Sequence, residues 1–194
     1  MKKVFRYSLP LILILAACAE PGQRTGSETE KPDVYKSEVH QQFVKNLLSL
    51  CGQSFEGAET YTLPERENWQ GKRLVMEVIR CDMDALHISL AVNENRSRTW
   101  MFMAEDGRLR FRHDHRNEDG TPEEVTMYGG YANDEGSALV QYFPADDYSC
   151  ELIDYACKNE WIVRLSEDKE TFSYILKLDG VMRFQADFDL TQPL

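Results

Sequence analysis

Residues 98–115 read RTWMFMAEDGRLRFRHDH. Large apolar residues occupy alternate positions on each side of Asp106-Gly107, and these are Trp100, Phe102, Leu109 and Phe111. Alternation of apolar and polar residues is typical of a strand with one buried face. Asp-Gly favours the positive φ angles of a tight hairpin. The stretch therefore predicts two antiparallel strands whose shared apolar face is buried.

The same alternation, interrupted by turn residues, recurs along most of the chain. It predicts strands at 72–80, 85–92, 98–104, 108–115, 124–131, 137–143, 160–166, 171–178 and 181–190, and allows a short one around 59–62. Short connections make successive strands neighbours, and curling the sheet into a barrel buries its apolar face and removes exposed edges. We therefore predict an all-β fold, a single antiparallel up-and-down β-barrel of about eight or nine strands.

One N-terminal α-helix is predicted before the strands. Its apolar stripe has a helical period and consists of Val39, Phe43, Val44, Leu47, Leu48 and Cys51. Ser37 is a suitable N-cap and Gly52 a suitable stop signal. We expect this helix to pack on an end or a side of the barrel, with His40 on its polar side.

The first 17 residues have the parts of a secretory signal: a basic start, a short apolar run from Leu9 to Leu15, and small residues. The run is shorter than the roughly 20 residues of a membrane-spanning helix. Leu15-Ala16-Ala17-Cys18 resembles the lipobox of bacterial prolipoproteins. The resemblance implies that residues 1–17 are a signal peptide and that Cys18 is acylated and anchors the protein in a membrane. Ala19, in place of Asp, implies an outer-membrane lipoprotein facing the periplasm in a Gram-negative source.

Residues 18–36 are polar and read as a flexible tether, which leaves residues 37–194 for the barrel domain. The formal net charge of the chain is −11. This charge argues against nucleic acid as a partner, because a polyanion is repelled, and no basic aromatic patch is present.

Four cysteines follow Cys18, namely Cys51, Cys81, Cys150 and Cys157. An even number in an exported chain suggests two disulfides, for which three pairings exist. We favour Cys51 with Cys81 and Cys150 with Cys157. The second pairing requires a bend, because residues seven apart in a continuous helix lie about 10 Å apart, too far for a disulfide.

A candidate ligand-binding site lies where alternation places His113 and His115 on one side of a strand, near the barrel mouth. Trp100, Phe111 and Tyr131 fall on the inferred inner faces, as does Tyr142, and the first three complete the candidate set. Two histidines can bind a metal, but no third ligand is evident. No cofactor motif and no nucleophile motif occurs, so we expect neither a cofactor nor an enzyme.

The segment His113–Gly130 resembles a segment of uncharacterised bacterial secreted proteins, and this resemblance does not point to any particular activity. The predicted architecture resembles lipocalin-like envelope lipoproteins in shape, although the lipocalin Gly-x-Trp is reversed at Trp69-Gln70-Gly71. The leading hypothesis is a barrel that binds a small apolar or amphipathic ligand. An alternative is a protein-interaction module, an inhibitor or assembly factor, that uses an acidic surface at Glu118, Asp119, Glu123 and Glu124. A third hypothesis is a metal-dependent enzyme using the two histidines.

Overall fold

A ten-stranded antiparallel sheet dominates the computed structural model, which describes residues 33–64 and 69–194. The strands are β1 (Ser54–Thr62), β2 (Leu74–Cys81), β3 (Ala85–Val92), β4 (Asn95–Glu105), β5 (Arg108–His115), β6 (Tyr128–Tyr131), β7 (Val140–Pro144), β8 (Asn159–Leu165), β9 (Thr171–Leu178) and β10 (Val181–Pro193). The helices are α1 (Glu38–Leu48), α2 (Asp147–Leu152) and a short 3₁₀ helix (Ala156–Lys158).

The strand order is β6-β5-β4-β3-β2-β1-β10-β9-β8-β7. Because β1 pairs with both β2 and β10, the first and last strands of the chain are neighbours, and the sheet curls into a nearly closed barrel. Consecutive strands pair throughout, except where β6 meets β7. The predicted all-β, up-and-down barrel is confirmed, with ten strands instead of eight or nine.

The additional strand is β1, of which the sequence indicated only residues 59–62. Its sequence lacks regular apolar alternation, because most of its side chains are exposed or half-buried. Backbone pairing to strands on both sides holds it in place. At Gly57 the absence of a side chain leaves room for the Phe188 ring, which a Cβ at that position would overlap.

The seam between β6 and β7 completes the barrel without a regular ladder. Asn133 N donates to Tyr142 O at 3.0 Å, and Asp146 N donates to Gly129 O at 3.0 Å. Between these two bonds the backbones are so close that a Cβ on Gly130 would overlap the carbonyl oxygen of Pro144. Only glycine permits this approach.

The helix α1 forms as predicted, with the Ser37 side chain accepting a hydrogen bond from His40 N. Phe43, Val44 and Leu47 are fully buried. The expected orientations of two residues were wrong: the side chain of His40 is buried, whereas Val39, expected on the buried stripe, is 39% exposed. Burial lowers the pKa of His40 below its ordinary value, since the charged form loses its solvation.

Contacts with three loops place α1 and the residues before it at one end of the barrel. Lys36 N donates to Gly107 O at 2.8 Å in the β4–β5 hairpin, and Asn46 Nδ2 donates to Ala138 O at 2.8 Å. The Asn46 Oδ1 accepts from Lys169 Nζ, between β8 and β9, at 3.0 Å. We call this the α1 end.

The beginning of the chain is described only from residue 33. Tyr35 is buried in the hydrophobic core, so the last residues of the predicted tether, 33–36, pack on the barrel. The rest of the tether, the signal segment and Cys18 lie outside the described residues. Within the part of the chain that the structure describes, no helix has both the length and the apolar character needed to cross a bilayer.

Aromatic rings from opposite strands fill the barrel. Trp100 stacks on Tyr174, with ring centroids 4.5 Å apart, and Phe111 packs on Phe143 at 5.3 Å. Phe102, Phe172 and Phe188 extend the same cluster. Each such pair contributes about 0.5–1.5 kcal/mol beyond the burial of its area. The rings therefore join the two halves of the sheet across the interior.

Both favoured disulfides are present. Cys51 and Cys81 connect the segment after α1 to the end of β2, with Cα atoms 5.8 Å apart. Cys150 and Cys157 connect α2 to the 3₁₀ helix, with Cα atoms 4.5 Å apart, across the predicted bend.

The close approach at the seam gives a testable prediction. We expect Gly130→Ala to lower the free energy of unfolding by about 2 to 3 kcal/mol, because the added methyl forces the two backbones apart. Gly120→Ala is the control, since Gly120 has open space around it, and only the strain of its own positive φ should cost stability, about 1 kcal/mol. Urea denaturation measures both variants, and equal losses would contradict the close seam.

Candidate functional site

A pocket of about 260 Å³ opens at the end of the barrel opposite α1. Arg98, near the start of β4, and His115, at the end of β5, lie far from the hairpin at Gly107 that contacts the α1 end. Residues from β4, β5, β6, β8, β9 and β10 line the pocket. It is therefore the open mouth of the barrel, above the aromatic core.

Strand register positions the polar side chains. Arg98 is opposite His115, and Trp100 is opposite His113, on the inner face of the β4–β5 pair. Trp100 belongs to the buried core. Arg98, two residues closer to the mouth on the same strand, is the next residue that points into the barrel. Inner-face alternation thus brings one guanidinium and two imidazoles to the pocket.

The two histidines have different surroundings. His115 lies between Ser97 and Glu123: its Nε2 is 2.9 Å from Ser97 Oγ, and its Nδ1 is 2.9 Å from Glu123 Oε2. His113 lies deeper, and its ring centroid is 4.8 Å from that of Tyr128. The two imidazole centroids are 6.2 Å apart.

Five aromatic rings form the walls of the pocket, from Trp69, Tyr128, Trp161, Tyr174 and Phe184. Tyr128 stacks on Trp161 at 5.6 Å, and Trp69 meets Phe184 edge-on at 5.1 Å. Trp69 is held by its backbone N, which donates to the Glu59 carboxylate at 2.7 Å. These walls offer both apolar area and ring faces to a ligand.

Arg98 supplies the positive charge of the pocket. Its guanidinium lies 5.3 Å above the Trp69 ring. Its Nη1 donates to Asn95 Oδ1 at 3.2 Å and to Ser97 Oγ at 3.3 Å. Among the described lining residues none is an aspartate or a glutamate. The described lining of the pocket therefore carries a positive charge, in contrast to the chain as a whole, whose net charge is −11.

The disulfide-bonded segment 150–157 forms part of the rim. Ile153 and Tyr155 lie between the two cysteines and line the pocket. Tyr155 is 66% exposed, so it stands at the entrance, where the cross-link limits the freedom of the segment that carries it.

The predicted site residues divide into three groups. His113 and His115 line the pocket. Trp100 and Phe111 are buried below it, in the core. Tyr131 lies on the outer face, opposite Arg110, and its hydroxyl donates to Glu105 Oε2 at 2.6 Å.

The predicted inward direction of Tyr131 was therefore wrong. Met127 has a φ of +59°, and β6 begins only at Tyr128, so the alternation assumed for 124–131 does not hold. Tyr142 is likewise on the outer face, because its neighbour Phe143 points into the core. The hydrogen bond to the Glu105 carboxylate raises the pKa of Tyr131.

Sequence reasoning missed Arg98, Trp69, Tyr128 and Tyr155. The alternation does indicate Arg98, because residues 98, 100 and 102 are alternate positions of one strand and therefore point to the same face. Trp69 and Tyr155 lie in irregular segments, and only the closed fold brings them to the pocket.

The predicted acidic surface is partly engaged in local contacts. Glu123 pairs with His115, and Asp119 accepts hydrogen bonds from the hydroxyl and backbone N of Thr121, which lower its pKa. Glu118 lines an open groove outside the barrel. Within residues 33–64 and 69–194, no group of three or more His, Cys, Asp or Glu side chains could hold a metal ion.

Comparison with known proteins gave no match to a family model, a curated protein or a solved structure.

The disulfide at the rim gives a prediction for hydrogen exchange. We expect Cys150→Ser/Cys157→Ser to speed amide exchange in residues 151–157 about tenfold or more, because the cross-link restrains the open state of this short loop. Exchange in β4 and β5 should not change. Mass spectrometry of the deuterated chain measures the exchange. The control is Cys51→Ser/Cys81→Ser, which removes the other disulfide and keeps the one between Cys150 and Cys157. Unchanged exchange at 151–157 would contradict the restraining role.

Proposed function

We propose that this chain is a binding protein of the cell envelope that holds a small apolar or amphipathic molecule in the open end of its barrel. The observation that carries the proposal is the mouth pocket, with its aromatic walls and a few polar groups at one side. A concave, mostly apolar site with few polar groups is the usual form of a small-molecule site.

The pocket volume limits the size of the ligand. Typical sites for drug-sized molecules measure about 300–1,000 Å³, and a cavity of about 150 Å³ accepts benzene. A pocket of about 260 Å³ therefore suits a body of one or two fused rings. The core beneath it, with Trp100 and Phe111 fully buried, leaves no room for deeper insertion.

We further propose that the protein is anchored to a membrane through lipid on Cys18, at the outer membrane facing the periplasm if the source is Gram-negative. The lipobox-like Leu15-Ala16-Ala17-Cys18 supports this. The two disulfides agree with an oxidising compartment. A lipid anchor followed by a polar segment would keep the barrel mouth accessible to ligands in water.

The anchor gives a labelling prediction. We expect the chain, expressed in a bacterium, to incorporate an alkyne-tagged palmitate, and Cys18→Ser to abolish the label because the acceptor sulfur is lost. Ser8→Ala, also in the signal segment, serves as the control and should keep the label. In-gel detection after coupling to a dye measures incorporation. An unlabelled parent chain, or a labelled Cys18→Ser variant, would contradict the lipid anchor.

Filling the pocket tests the binding function. We expect the full chain to bind indole, measured by isothermal titration calorimetry. Val125→Trp should raise the Kd about tenfold or more, because the new side chain occupies part of the small cavity. Val125 lines the pocket and is 41% exposed, so the larger residue can be accommodated.

Val181→Trp is the matched control. Val181 is 52% exposed and does not line the pocket. The Kd of the Val181→Trp variant for indole should therefore equal that of the parent chain. Absence of indole binding at millimolar concentration, or equal weakening by both substitutions, would contradict binding at the mouth.

A further inference from the structure

We infer that the mouth pocket selects amphipathic anions, an aromatic body carrying a carboxylate, and that Arg98 binds the carboxylate. The inference rests on the proposed function and adds the chemical class of the ligand. It depends on three features of the pocket: the unused donors of Arg98, the absence of a described carboxylate in the lining, and the aromatic walls beside the guanidinium.

Arg98 has donors left for a ligand. Both of its side-chain hydrogen bonds leave from Nη1, and both acceptors, Asn95 Oδ1 and Ser97 Oγ, are neutral oxygens. Within residues 33–64 and 69–194, Nε and Nη2 donate to no acceptor, and no carboxylate oxygen lies within 4.0 Å of the guanidinium. The Nε and Nη2 edge of a planar guanidinium matches the two oxygens of a carboxylate.

Three arginines on β5 and directly after it already have carboxylate partners. Arg110 and Arg112 both pair with Asp146 on the outer face. Arg116 pairs with Asp114. Arg98 differs from these three because it faces the pocket and its contacts are neutral. An arginine charge held at a cavity wall without a counterion favours an anionic ligand.

Among the described residues, the carboxylate that contacts His115 is directed away from Arg98. Glu123 Oε2 lies 2.9 Å from His115 Nδ1, so this charge is engaged with the imidazole. His115 in turn stands opposite Arg98 in the strand register. Arg98 and His115 together form a polar wall with hydrogen-bonding groups, while the rest of the lining is largely aromatic and aliphatic.

The aromatic walls alone would also suit a cation, because ring faces attract positive charge. Arg98 already occupies a position over the Trp69 ring, and a second cation beside it would be repelled. The overall charge of −11 attracts cations at long range, but this attraction is screened beyond about 8 Å at physiological ionic strength. The local arginine therefore decides the preference.

Three probes of the same shape test the inference: indole-3-acetate, its neutral amide indole-3-acetamide, and the amine tryptamine. We expect the full chain to bind the acid about tenfold or more tightly than the amide, because a charge-assisted bidentate contact is stronger than a neutral one. Tryptamine should bind most weakly. Isothermal titration calorimetry at fixed ionic strength measures all three.

Arg98→Met removes the charge and keeps an extended side chain to pack on Trp69. We expect it to raise the Kd for the acid about tenfold or more and so to abolish the preference over the amide, because the charge-assisted contact is lost. Arg96→Met is the matched control. Arg96 lies two residues away on the same strand and lines the outer groove, so its loss should keep the preference.

The outcomes separate the inference from the proposed function. If the parent chain binds acid and amide equally well, or binds tryptamine best, anion selection is wrong while binding at the mouth stands. If Arg98→Met keeps the preference, the carboxylate contact is wrongly assigned. If no indole compound binds, including indole itself, the proposed function fails and the inference falls with it. The comparison of the three probes on the parent chain does not depend on the folding of any variant.

Discussion

The backbones of β6 and β7 meet at Gly130 and Pro144 with no space for a Cβ between them. The buried hydroxyl of Ser149, on α2, reinforces this seam, because it accepts from Gly129 N and donates to Gly129 O. Pairing of β1 with β10 closes the other side. These contacts turn a sheet with one apolar face into a barrel, and rings from β4 and β5 then reach those of β8 to β10.

The position of the pocket follows from how the barrel is filled. At one end α1 and Tyr35 cover the core, and stacked rings such as Trp100 and Tyr174 occupy the middle. Only the far end is left, where the strands carry Arg98 and His115 in place of large apolar residues. The result is a shallow cavity with aromatic walls and one cationic side, a shape that suits a small amphipathic molecule better than a long lipid chain.

Local patterns predicted the fold and part of the site. The alternation around Phe111 correctly indicated paired strands and an inward His113, because side-chain direction in a strand depends only on parity. Tyr131 was misplaced because the positive φ at Met127 and the late start of β6 interrupt that parity. Tyr128 was missed because the irregular stretch before β6 hides its parity, although it pairs directly with His113. Trp69 was missed because it lies in an irregular segment that reaches the mouth only in the folded barrel, and no short-range pattern encodes such a meeting. Of these pocket residues, Arg98 is the one that the local alternation of β4 indicates, because it points to the same face as Trp100.

Amide hydrogen exchange at the seam measures closure most directly. Asn133 N and Asp146 N donate to Tyr142 O and Gly129 O across the β6–β7 gap. In a closed barrel these two amides should be protected from exchange about as strongly as the ladder amides of β5. Their hydrogen bonds would break only when the core unfolds. Exchange at the rate of freely exposed amides, with β5 still protected, would mean an open sheet and would contradict the account of the pocket.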